Sequence, residues 1–384
     1  MAACCRWPPS EGRVAAVRGA TAGSLDWERV LRIACRQRVE GLVNDGIVRA
    51  GLAPPAPVAA AFGARGSSIL RKSMMQAAES MRLRRLVEAA GIEVMVLKGV
   101  AVEWLAYGRL GLKSASDIDL LVTPPMAARA RDLLIDDGYV LVEPPGLTPE
   151  RFETWVGLSK ECEFKNRTSG FNVELHWRLT DNPTLLRGLS VNSDSQVVAV
   201  TADAGLRTLA AGPLYSYLCV HGAMHGWSRL KWLADVGALL SRETGDGVAR
   251  LHECAGGLGA GVCSAQTLLL CERLFQTPLP EDLAAEFRAS ARVKRLVEVA
   301  LRAMAGGEGE VEIEDRPFAA GLVALSHFSL GVGWRYALDE LGRKWIGVSD
   351  RMSVPLPRPL HFLYHLLRVP SWVLRRLSGR KTSV

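Results

Sequence analysis

Apolar residues recur along this chain with two different periods. From 26 to 51, Val30, Leu31, Ile33, Ala34, Val39, Leu42, Val43 and Ile47 follow the three- and four-residue spacing that lines one side of a helix. Pro54-Pro55 interrupts that pattern, and a second helical stretch runs over 58–90. Between 91 and 180 the period shortens to two in several places. Ile92-Glu93-Val94-Met95-Val96-Leu97 reads as a short buried strand, 117–123 and 139–143 as two more, and 161–166 with 171–179 as a hairpin. Helical patterns fill 100–110 and 125–137, and 144–160 reads as a loop. Residues 183–204 are loop-rich with one short strand at 197–200, and helical periodicity returns over 205–244, 247–275 and 280–306. Residues 1–24 mix Pro, Gly, Arg and Ala without a period and are expected to fray. The acidic stretch 308–315 reads as a solvated loop. The pattern predicts an α+β protein with a small mixed-sheet core at 91–180. An N-terminal helical region (1–90), a helical domain (181–310) and a C-terminal region (311–384) with a basic amphipathic tail flank that core.

Length and composition set bounds on this picture. With 384 residues and 48% apolar content the chain can build an ample core. Eight scattered cysteines lack any C-x-x-C pair, which fits reduced thiols and a cytoplasmic location. The N-terminus carries no apolar signal segment, and the uncharged run 255–271 is too polar to span a membrane. The formal charge of +7 is concentrated at the end of the chain, because Arg351 begins a segment with seven basic residues and no acid. A neutral body argues against a broad nucleic-acid groove. The tail interleaves Phe362, Leu366 and Trp372 with arginines, a composition that suits contact with an anionic membrane surface or a partner protein.

The chemistry concentrates around Ser116-Asp117-Ile118-Asp119-Leu120-Leu121-Val122. On a strand, residues two apart share a face, so Asp117 and Asp119 point the same way. Paired hard oxygen ligands suit Mg²⁺, which commonly binds through one or two carboxylates and substrate phosphates. Upstream, Lys98-Gly99 stands at a strand-to-helix turn, where a glycine lets phosphate approach the backbone. Downstream, Asn172-Val173-Glu174-Leu175-His176 offers a third acid, Glu174, with His176 on the same face. Three carboxylates beside a glycine turn predict a two-metal phosphate site. His221 and His225 have zinc-like i, i+4 spacing, but the sequence lacks the glutamate of H-E-x-x-H, and they read as packing residues.

These segments resemble the DNA polymerase β-type nucleotidyltransferase superfamily. They look closest to a bacterial family of uncharacterised nucleotidyltransferases. The resemblance rests on Leu97-Lys98-Gly99, on 113–122, on Val173-Glu174-Leu175-His176-Trp177, and on His221 through Asp235. Gly99 is followed by Val100 where the superfamily usually has a second small residue, and Lys113 stands where close relatives tend to carry arginine. The resemblance implies a nucleotidyltransferase core. It implies an Mg²⁺-dependent enzyme that moves a nucleoside monophosphate from an NTP, ATP by expectation, to a hydroxyl of a small molecule, peptide or protein. Asp117, Asp119 and Glu174 are then the catalytic and metal-binding residues, and Lys98, Gly99, Lys113, Ser116 and His176 meet the nucleotide. Two alternatives stand beside this: a catalytically silent nucleotide- or partner-binding protein of the same fold, and a toxin-like transferase acting on RNA.

Overall fold

The computed structural model describes residues 1–113, 116–200, 205–305 and 317–345, the first four of the last segment by backbone alone. Its centre is a five-stranded mixed sheet in the order β1-β2-β5-β4-β3. The strands are β1 (Met95–Val96), β2 (Asp117–Leu121), β3 (Tyr139–Glu143), β4 (Glu161–Asn166) and β5 (Asn172–His176). β2 and β5 run parallel, and the other pairs are antiparallel. β6 (Ser195–Ala199) and β7 (Gly205–Leu209) form a separate two-stranded sheet. The α+β architecture expected from the pattern is the one observed.

The two-residue period divides the central sheet between two cores. Ile118 and Leu120 of β2, Val173 and Leu175 of β5, and Cys162 and Phe164 of β4 pack with Leu83, Val87, Ala130 and Leu134 on one face. Met95, Leu97 and Leu121 point the other way, into a larger core built with Leu214, Leu218 and Leu233. The 34-residue helix Ala56–Ala89 joins the two cores, with Phe62 in the larger and Leu83 in the smaller. Asp117 and Asp119 therefore sit on the sheet face that looks toward the helices Ala211–Met224 and Leu230–Leu240.

Several local expectations are corrected. Residues 1–24 form two helices, Ala2–Cys5 and Glu11–Gly19, with Cys4, Cys5 and Val17 buried. The Ser10 hydroxyl caps the second by accepting from the Arg13 amide at 3.2 Å. Small side chains carry this packing, which mutes the period. The expected loop at 144–160 contains the helix Pro149–Leu158, started by proline at its first position. Residues 205–209 are strand, and the helix begins only at Ala211, because Leu206 and Thr208 bury on alternate positions. The long helical runs break at Gly226 (φ +56°) and Gly259 (φ +79°). In the first expected strand only Met95 and Val96 join the sheet. All eight cysteines are free thiols. Among the described residues no helix is long and apolar enough to cross a membrane. The acidic stretch 308–315 and the basic tail lie outside the described residues.

Candidate active site

Register brings the acids together. Asp119 is the parallel partner of Glu174, Glu174 is the antiparallel partner of Glu163, and Asp117 lies beside Asn172. Residues paired this way share a face at roughly 5 Å spacing. The result is a patch of carboxylates over three strands, which opens on a cavity of about 500 Å³. Lys98, Gly99, Lys113, Ser116, Asp117, Asp119 and Glu174, all expected from sequence, line that single cavity.

Gly99 adopts φ +62° just before the helix Val100–Tyr107, a conformation that a residue with a Cβ rarely takes. The turn sends Lys98 into the acids. Its Nζ lies 2.7 Å from Asp119 Oδ1 and 3.7 Å from Glu174 Oε2. Burial opposes the charge on Lys98, yet the Asp119 carboxylate holds its ammonium well above the ordinary lysine range. Asp119 is also buried, which favours its neutral form, but Lys98 and His176 hold its carboxyl well below the usual range.

His176 differs from its expected place. It is only 1% exposed, backs the carboxylates, and is not among the residues that line the cavity. Its Nε2 stands 3.2 Å from Asp119 Oδ1 and 3.3 Å from Glu174 Oε2, while Nδ1 lies 2.8 Å from Glu161 Oε2. Burial disfavours the imidazolium, but Glu161 and Asp119 raise its pKa to about 10. A carboxylate behind an imidazole fixes the ring's orientation. Strand period alone put His176 on the correct face and said nothing of its depth.

The donor set fits a divalent cation. Asp119, Glu174 and His176 place a carboxylate oxygen or ring nitrogen within 4.8 Å of one another, and His176 can ligate only once its imidazolium gives up a proton. Asp117 lines the same cavity, its carboxylate meeting the Ser116 hydroxyl and the Asn172 amide, the latter at 3.4 Å. Asn172 Oδ1 is buried without a hydrogen-bond partner among the described residues, a further oxygen next to the acids.

The helices supply a different wall. Arg38, Arg229, Lys231 and Asp235 face the strands across the cavity, together with His221, His225 and Trp232. His225 stacks on Trp232 with centroids 5.0 Å apart, and burial lowers its pKa to about 4. Lys113 pairs with the buried Asp235. Its loop is held by Glu103 Oε1, which accepts from the amides of Gly111, Leu112 and Lys113 at 2.8 to 2.9 Å. Sequence reasoning missed Arg38, Lys231 and Glu103. Glu103 left a signal, since it is the one charge in Val100-Ala101-Val102-Glu103-Trp104-Leu105-Ala106-Tyr107.

A turn that bends around glycine toward a set of strand carboxylates, with cations opposite, is a place for phosphate chemistry. No curated protein and no solved structure matches the chain. The family model described as uncharacterised nucleotidyltransferase matches residues 23–276, a span that contains every residue of the cavity. The chain belongs to that family, and is an enzyme of nucleotidyl transfer with an NTP as substrate.

Proposed function

We propose that this protein, a bacterial member of the DNA polymerase β-type superfamily, transfers a nucleoside monophosphate from MgATP to a hydroxyl acceptor on a small molecule, peptide or protein. The observation that carries the reading is the convergence of Asp117, Asp119 and Glu174 with the Gly99 turn on one cavity. In the reaction an acceptor oxygen bonds to the α-phosphorus as the bond to the bridging oxygen breaks, and pyrophosphate leaves with that electron pair. Asp117, Asp119 and Glu174 would hold Mg²⁺, which supplies charge neutralisation at the phosphates and a more acidic acceptor hydroxyl. Glu174 Oε2 takes the hydroxyl proton. Gly99 leaves room for the triphosphate at the amides that open the next helix. Lys98 and His176 keep the carboxylates aligned between turnovers. Positioning and electrostatics suffice for such a transfer, so the chain needs no nucleophilic side chain.

Pyrophosphate release with MgATP and a cell-extract acceptor pool tests this. Asp119→Asn should lower it by about 10²–10³-fold, the scale felt when one preorganised electrostatic group is lost. Equal release by wild type and variant would sink the reading. The division into regions 1–90, 91–180, 181–310 and 311–384 and the cytoplasmic location belong to the same proposal. So does contact of the basic tail with a membrane surface or partner protein. Deleting 351–384 should abolish association with anionic liposomes or that partner and leave metal-dependent nucleotide binding intact; loss of nucleotide binding instead would remove the surface role.

A further inference from the structure

Exposed apolar side chains gather toward the end of the described chain. Leu322, Leu325, Val332, Trp334, Leu338 and Leu341 all stand out in solvent. Single exposed hydrophobes are ordinary, but a concentration of them marks a surface that meets something else. The helix Trp334–Trp345 gives this concentration an order. Positions 334, 338 and 341 are four and three residues apart, so they line one side of the helix. They are 69%, 55% and 48% exposed, while Tyr336 and Glu340 on the opposite side are buried. The usual amphipathic arrangement is reversed, because a carboxylate faces the body and the leucines face water.

Specific bonds hold the helix in this orientation. Tyr336 donates its hydroxyl to the His327 carbonyl. Glu340 Oε2 accepts from Asn182 Nδ2 at 3.3 Å and pairs with Arg343, while Oε1 lies 3.6 Å from Lys344 Nζ. His327 Nε2 in turn donates to the carbonyl of Met224, the last residue of the Ala211–Met224 helix, at 2.8 Å. Arg292 Nη1 donates to the Gly331 carbonyl at 3.2 Å. The inner side of the helix is thus committed to the body. The outward stripe cannot turn inward without breaking the contacts of a buried carboxylate, which is costly.

Charge decides what the stripe meets. From Arg343 onward the sequence holds nine basic residues and one acid, Asp350. Arg335 sets its guanidinium 5.5 Å from the centre of the Trp334 ring, at the border of the stripe. Two copies of so basic a surface repel each other, whereas an anionic surface attracts each lysine and arginine near it. An apolar stripe bordered by cations is the composition of a helix that lies in a lipid interface, a depth that tryptophan favours. We propose that the outward side of Trp334–Trp345 docks on an anionic membrane. Trp334, Leu338 and Leu341 enter the boundary between headgroups and acyl chains, and the basic residues that follow meet the headgroups. The assignment is independent of the transfer chemistry. It rests on the tail contact proposed above, names lipid as the partner, and adds an apolar docking side within the described helices.

Co-sedimentation of the full chain with vesicles of mixed phosphatidylcholine and phosphatidylserine, and with phosphatidylcholine alone, tests the docking side. Wild type should bind the mixed vesicles and leave the neutral ones. Leu338→Ser combined with Leu341→Ser keeps every charge and should weaken binding by about tenfold or more, because less apolar area leaves water. Leu338→Met combined with Leu341→Met should bind as wild type does. Both double variants should melt with wild type, since both leucines are exposed. Failure of wild type to bind the mixed vesicles would overturn this site together with a lipid role for the tail. Binding by the serine variant within about twofold of wild type would overturn the docking side and leave the tail contact standing. Equal binding to neutral vesicles would overturn the choice of an anionic surface. A serine variant that melts well below wild type would mean that the chain covers its own stripe, and a wild-type dimer that this variant dissociates would mean that a second copy does. Either result would overturn the lipid assignment.

Discussion

The two walls of the cavity hold charge in opposite ways. On the strand wall Asp119 and Glu174 have counter-charges built in: Lys98 and His176 reach both, and Glu161 stands behind His176. On the helical wall Lys113 has Asp235, while Lys231 lies among Arg38 and Arg229 without a described partner. The first wall keeps its shape through attraction between these carboxylates and the cations beside them. The second sets a buried ammonium near other cations, and burial with Arg38 and Lys113 outweighs the opposing Asp235. A protein commonly gives up stability in this way at the place where it binds. The contrast separates a wall of paired charges from one whose lysine lies near other cations.

The largest test falls on the strand wall. Glu174→Gln keeps the shape and removes a charge, so turnover should fall by about 10²–10³-fold while NTP affinity, measured by titration, stays near wild type. If the rate stays within a few-fold, the third acid lies elsewhere, and Glu163 is the next to test. Glu163 faces Glu174 in register, and burial with the nearby Asp117 and Glu174 raises its pKa.

A smaller effect should come from the loop that joins the walls. Glu103→Ala strips an acceptor from three backbone amides, each of which costs about 1–3 kcal/mol if left buried and unpaired. Partial rescue by water brings the expected loss to about 3 kcal/mol in thermal or denaturant unfolding. The KM for NTP should rise more than kcat falls, because Lys113 loses its seat. An unchanged melting curve would show that the loop has other support.

The smallest effect runs in the opposite direction and depends on pH. Lys231 has a folded-state pKa of about 7, below its unfolded value of about 10.4, so between these limits the unfolded chain binds more protons. Stability from this group therefore rises with pH across that window, and its penalty is complete below about pH 7. Lys231→Met should melt higher than wild type by roughly 2–4 °C per kcal/mol recovered, with a gap that is widest at about pH 6.5 and narrows toward about pH 9.5. A variant that melts lower at both pH values would mean that the ammonium is not stored repulsion, and the comparison of the walls would fail.

The same contrast governs how much could be read before the fold was known. The strand wall is written locally. Asp117 and Asp119 are two residues apart, Glu174 sits in a strand with an unambiguous period, and Gly99 ends an apolar run. The helical wall has no such script. Arg38 and Lys231 look like ordinary helix-surface cations until Gln37, whose Oε1 accepts the Leu230 amide, brings segments nearly two hundred residues apart into contact. The positive φ of Arg38 leaves no mark, since nothing in Arg36-Gln37-Arg38-Val39 announces a turn. Elsewhere, alanine and cysteine packing hid the first two helices. The stretch 205–209 was absorbed into helical periodicity because one strand of five residues is too short to outweigh the helix that follows.

Gln37 carries one more consequence, for what can be removed or exchanged. Its amide and backbone link residues 37, 230, 231 and 304. A fragment holding only the strands would inherit the carboxylates without the cations that face them, and an exchange of the N-terminal helices for those of a relative would misplace Arg38 unless residue 230 and its neighbours came too. Inheritance of this cavity is therefore collective. The chain between Gln37 and Met304 can drift on its surface, but it can be cut or recombined only as a whole.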